Sequence, residues 1–88
     1  MNPSQRIFVV GLNHLNASVS SREKAVVSPQ QLSEALSQLK SLPLDEVVIL
    51  STCSRVDVFA ACEDPSRGAE LVRAWFKARA GAEVEASL

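Results

Sequence analysis

Three short apolar runs constrain this chain more than any other feature. The first, Ile7-Phe8-Val9-Val10-Gly11-Leu12, is β-branched, aromatic and nearly continuous in apolar residues. The second, Val47-Val48-Ile49-Leu50, sits inside Glu46–Thr52, and the third, Val56-Asp57-Val58-Phe59-Ala60-Ala61, alternates better. Runs of this length and makeup read as strands, the first two buried and the first central in its sheet. Only Cys53-Ser54-Arg55 separates the second run from the third, with no Gly or Pro. That pair either turns as a tight hairpin or runs on through a bend.

Helical signals fill the gaps. Ser28 is an N-cap candidate, Pro29 fits the first helical position and Gln31 the third. Leu32, Ala35, Leu36, Leu39 and Leu42 then recur at the spacing of one buried face, and Pro43 ends the segment. A shorter helix is expected from Ser20-Ser21-Arg22-Glu23 to Val27, capped by Ser20. Asp64 and Pro65 open a further helix whose stripe is Leu71, Val72, Trp75 and Phe76, and Gly81 stands at its end. The tail Glu83–Leu88 alternates weakly and is a candidate fourth strand. The order β-α-β-β-α, with that tail, predicts an α+β fold: a ferredoxin-like split βαβ sandwich with an antiparallel sheet and its helices on one face.

Eighty-eight residues allow one domain, spanning 1–88. A formal charge of −1 with no basic run argues against a domain held to nucleic acid by phosphates alone. An RNA partner would touch this chain over a small area. No apolar run approaches the roughly 20 residues that span a bilayer, and no secretory core follows Met1–Arg6, so no membrane partner is expected and the location is read as cytoplasmic. Two cysteines, one histidine and no CxxC pair point away from a disulfide scaffold or a zinc site. Cys62 stands in no motif and reads as an inert thiol.

The chemistry concentrates in Ile49-Leu50-Ser51-Thr52-Cys53-Ser54-Arg55. A cysteine leaves a strand end among hydroxyls, with an arginine two positions on. In extended chain, i and i+2 point the same way, so Arg55 could favour the Cys53 thiolate, the reactive form. Thr52 and nearby backbone N–H groups could hold an oxyanion. Spacing alone does not separate such a nucleophile from a small buried cysteine.

Two longer motifs carry a resemblance. Gly11-Leu12-Asn13-His14, then Ala17, Val19 and Arg22-Glu23, is similar to the GLNH-x-x-A-P-V-x-x-R-E opening of the glutamyl-tRNA reductases. Ile49-Leu50-Ser51-Thr52-Cys53-Ser54-Arg55-Val56-Asp57-Val58-Phe59-Ala60 resembles that family's ILSTCNR-T-E-I-Y-A signature. Ser18, Ser54, Val56, Asp57 and Phe59 depart from it, standing where the family has Pro, Asn, Thr, Glu and Tyr.

The resemblance implies the cysteine-bearing N-terminal domain of an NADPH-dependent oxidoreductase of tetrapyrrole (porphyrin, haem) biosynthesis. Cys53 would attack the ester of glutamyl-tRNA to form a thioester, which NADPH reduces to glutamate-1-semialdehyde. Thr52 would help hold the substrate, Arg55 would bind its carboxylate, and Asn13, His14 and Ser54 would lie in the same pocket. No Gly-x-Gly-x-x-Gly occurs, so the NADPH-binding and dimerisation domains of that family are expected outside this chain, which by itself would not complete the reduction. The complete enzyme would be a homodimer and could contact the next enzyme of its pathway. The competing expectation is a non-catalytic, ferredoxin-like interaction or regulatory module.

Overall fold

The computed structural model describes residues 6–52 and 54–88. The elements run β1 (Arg6–Asn13), α1 (Val19–Ala25), α2 (Leu32–Lys40), β2 (Glu46–Ser51), β3 (Arg55–Cys62), α3 (Pro65–Ala80) and α4 (Ala82–Ser87). The three strands form one sheet in the order β1-β3-β2, and β3 is antiparallel to both neighbours. β1 and β2 therefore run parallel with β3 between them, as a split βαβ unit requires.

Strand alternation decides what the sheet buries. Val10 and Leu12 of β1 and Val56 and Val58 of β3 point to the helix side. There they join Ala25, Leu39, Val72, Phe76 and Val84 in one core cluster. Fully burying a side chain such as Phe76 or Leu39 contributes about 1.5–3 kcal/mol. On the opposite face Ile7, Val9, Val48, Leu50 and Phe59 stay exposed, so the helices cover one side only.

The helix starts and stops follow local chemistry, with shifts. Ser18, not Ser20, caps α1, its hydroxyl accepting from the Ser21 N–H at 3.1 Å. A serine two residues earlier has the extended backbone a cap needs, and Ser20 is already inside the helix. Ser28 opens a turn before α2 rather than the helix itself: Gln31 reaches back to the Ser28 N–H at 3.2 Å, and the helical run begins at Leu32. Asp64 caps α3 by accepting from the Arg67 N–H, with Pro65 behind it. Gly81 ends α3 at φ 97°, a conformation costly for any residue with a Cβ.

Three further expectations are corrected. β1 is an edge strand among the described residues, and β3 is central. Neither β1 nor β2 is buried on both sides: their unbroken apolar runs reflect an apolar outer face, where Ile7, Val9, Val48 and Leu50 are exposed. Leu32, assigned to the buried face of α2, is exposed at the first residue of that helix, while Ala35 and Leu39 further along are buried. The tail is α4 and not a fourth strand. Val84 inserts into the core, and Lys77 on α3 pairs with Glu85 at 3.9 Å, so packing on α3 outweighs the weak alternation.

Candidate active site

The two halves of the site come from opposite ends of the chain's first two-thirds, and strand register brings them together. In the β1–β3 ladder Asn13 stands opposite Arg55, Leu12 opposite Val56 and Gly11 opposite Asp57. The first motif thus lies directly beside the second. Asn13, His14, Leu15, Ser54 and Arg55 line a cleft of about 250 Å³ at this end of the sheet.

The connection from β2 to β3 is a tight hairpin. The Thr52 N–H donates to the Arg55 carbonyl at 2.8 Å, leaving only positions 53 and 54 between the paired residues. The Thr52 hydroxyl oxygen accepts from the Ser54 N–H at 3.3 Å and lies 3.3 Å from the Ser54 hydroxyl. Cys53, the expected nucleophile, falls outside the described residues.

Asn13 is bound into its own loop. Its side-chain oxygen accepts from the Leu15 N–H at 2.8 Å, and its backbone N–H donates to the Asn16 side chain at 2.7 Å. Its carbonyl accepts from Ala17 at 3.0 Å. These bonds shape the turn that presents His14, which is exposed at the mouth of the cleft.

Three contributors were absent from the expected site. Arg22 Nη1 donates to the Ser54 carbonyl at 3.3 Å, so α1 supports the hairpin from below. Ser51 accepts the Val27 N–H at 3.0 Å, tying the α1–α2 connection to the end of β2. Asp57 accepts from Arg55 Nε at 2.5 Å. Arg22, Ser51 and Asp57 all stand within the two motifs, and that membership was the available signal.

The other thiol has a different setting. Cys62 is buried at the far end of β3, 3% exposed. Burial pushes its pKa above the ordinary value, and the charges of Asp64 and Asp45 add to the rise against a hydrogen bond from the Asp64 backbone. A larger cleft of about 510 Å³ lies at that same end, lined in part by Asp45, Glu63, Asp64 and Arg67. It contains none of the motif residues.

With this geometry in view, the similarities to known proteins are specific. Residues 10–87 match the family described as glutamyl-tRNAGlu reductase, N-terminal domain. The chain belongs to the glutamyl-tRNA reductase family. It is 45% identical over 71 residues to a glutamyl-tRNA reductase of Hydrogenovibrio crunogenus, a match covering 80% of this chain and 16% of that protein. The corresponding protein of Alkaliphilus metalliredigens is 44% identical over 73 residues, 82% of this chain and 16% of the relative. That of Carboxydothermus hydrogenoformans is 45% identical over 76 residues, 85% and 17%. The chain thus spans 16–17% of the length of these relatives.

The described residues do not form the phosphate cradle of a dinucleotide cofactor. A phosphate cradle of that kind needs glycines at a strand-to-helix turn of a parallel sheet. Gly11 lies within β1, Gly68 within α3 and Gly81 at the end of α3, and the described sheet is antiparallel throughout. Among the described residues no helix is long and apolar enough to cross a membrane.

Proposed function

We propose that this domain performs the glutamyl-transfer half of a glutamyl-tRNA reductase reaction. The Cys53 thiolate attacks the carbonyl carbon of the ester joining glutamate to its tRNA. A C–S bond forms, the C–O bond to the terminal ribose breaks, and the departing ribose oxygen takes up a proton. No oxidant or reductant enters this step. Arg55 receives the glutamate carboxylate, for which a planar guanidinium offers two parallel donors. Thr52, Ser54, Asn13 and His14 form the wall that holds the glutamyl group beside the thiol.

The observation carrying this reading is the β1–β3 register. It sets Asn13 against Arg55 and joins two motifs, far apart in sequence, around one cleft at the hairpin that bears Cys53. A transfer site needs its nucleophile and its substrate anchor on one rigid support, because misplacement by about 1 Å can cost roughly a hundredfold in rate. Antiparallel pairing on both sides of β3 gives Arg55, the proposed anchor, such a support.

In the family the reaction continues with hydride from NADPH to give glutamate-1-semialdehyde, a precursor of tetrapyrroles. The glycines of this chain, within β1, within α3 and at the end of α3, form no cradle for NADPH. The chain's work on this reading ends at the thioester.

The test is acyl transfer without cofactor. The chain is mixed with tRNA carrying labelled glutamate, and protein-bound label is counted after ribonuclease digestion and acid precipitation. Label that hydroxylamine removes, and that Cys53→Ser abolishes while Cys62→Ser leaves it, is the expected result. Label that persists in Cys53→Ser, or none with the unaltered chain, overturns the proposal.

A further inference from the structure

Gly11 and Asp57 face each other across the β1–β3 ladder on the side of the sheet that carries no helices. A Cβ on Gly11 would lie 2.0 Å from Asp57 Oδ1 and 2.6 Å from the Val56 carbonyl oxygen, so the carboxylate occupies the space a side chain would take. Asp57 is consequently 4% exposed, an uncommon place for an aspartate unless a cation meets it. Its partner is Arg55 on the same strand face, whose Nε donates to Oδ2 at 2.5 Å. The burial is lopsided: the Arg55 side chain keeps 48% of its exposure and the Asp57 side chain 6%. Arg55 is thus anchored from beneath and open above, where it lines the cleft with Asn13, His14 and Ser54.

We propose that Asp57 is a positioning residue for the substrate anchor: seated in the notch left by Gly11, its carboxylate fixes the Arg55 guanidinium by Nε and leaves the terminal nitrogens for the carboxylate of an incoming glutamyl group. This rests on the reading of Arg55 as the carboxylate anchor. An arginine side chain free to rotate loses rotamer entropy when it binds, and one already held in place loses less. The same pairing bears on the choice between two roles for Arg55. Its charge is partly balanced by Asp57, so it is better placed to orient a substrate than to activate a neighbouring thiol. The first motif's glycine and the second motif's acid are thereby two parts of one device.

The experiment measures single-turnover glutamyl transfer from labelled glutamyl-tRNA, resolving half-saturating concentration and maximal rate. Arg55→Ala, Asp57→Asn, the double variant and Asp57→Glu are compared at matched folded fraction. Asp57→Asn is expected to raise the half-saturating concentration, by up to about a hundredfold at most. Arg55→Ala should do the same, the double variant should be no worse than Arg55→Ala, and Asp57→Glu should restore much of the loss. If Arg55→Ala impairs transfer and Asp57→Asn does not, positioning by Asp57 is overturned while the anchor reading stands. If Arg55→Ala has no effect, the anchor reading itself fails. Should Asp57→Asn not fold, the unaltered protein still decides. An Arg55 Nε–H resonance protected from water exchange at neutral pH supports the pairing, and one exchanging as fast as the exposed arginines overturns it.

Discussion

The backbone N–H of Val27 donates to the Ser51 hydroxyl oxygen at 3.0 Å, joining the α1–α2 connection to the last residue of β2. Val27 is buried and Ser51 half-buried, so this donor is largely shielded from water. Ser51→Ala should leave it unsatisfied and cost about 1–3 kcal/mol. Urea unfolding checks this: the midpoint should fall with the slope unchanged.

The α3 start is a separable contribution. Asp64 accepts from the Arg67 N–H at 3.2 Å, satisfying one of the orphan donors of the first turn. Asp64→Ala should destabilise the fold by about 0.5–2 kcal/mol, read as a lower thermal midpoint, whereas Asp64→Asn should lose much less.

The two thiols should differ in reactivity. Cys62 is buried with its pKa raised by that burial, so little of it is thiolate near neutral pH. Iodoacetamide at pH 7.5 should label Cys53 quickly and Cys62 only on unfolding, as peptide mapping would show. Equal slow labelling of both would contradict Cys53 as the nucleophile of the proposed transfer.

The same raised pKa fixes the sign of a pH effect. The folded state holds the Cys62 proton more tightly than the unfolded chain does. The resulting stability is complete below the unfolded thiol value of about 8.5 and is lost as pH rises through the folded one. Urea midpoints measured from pH 7 upward should therefore drop more steeply above that value in the unaltered protein than in Cys62→Ala.

Arg22 offers a test of hairpin support. Among the described residues its Nη1 donates to the Ser54 carbonyl at 3.3 Å, a side-chain contact from α1 to the loop. Arg22→Ala should slow glutamyl transfer by about three- to tenfold, consistent with the roughly 0.5–1.5 kcal/mol that one hydrogen bond contributes. Wild-type rates in Arg22→Ala would show that the hairpin holds its shape without α1.

The sequence by itself determined the element order through α3, the Asp64 cap with Pro65 behind it, the Gly81 terminus and the clustering of Thr52, Ser54 and Arg55 around position 53. Each of these signals acts within a turn or two of chain, so neighbouring residues suffice to specify it. Tertiary structure alone decided that β3, not β1, is central, because burial on both faces depends on which strands pair and not on how apolar a run is. It also turned the tail into α4, since Val84 gains more by packing into the core than the alternation of Glu83–Leu88 gains by extending. The seat of Asp57 under Arg55 was likewise invisible in the sequence. That acid is tolerated in the sheet only because Gly11, distant in sequence and opposite in register, leaves room for it.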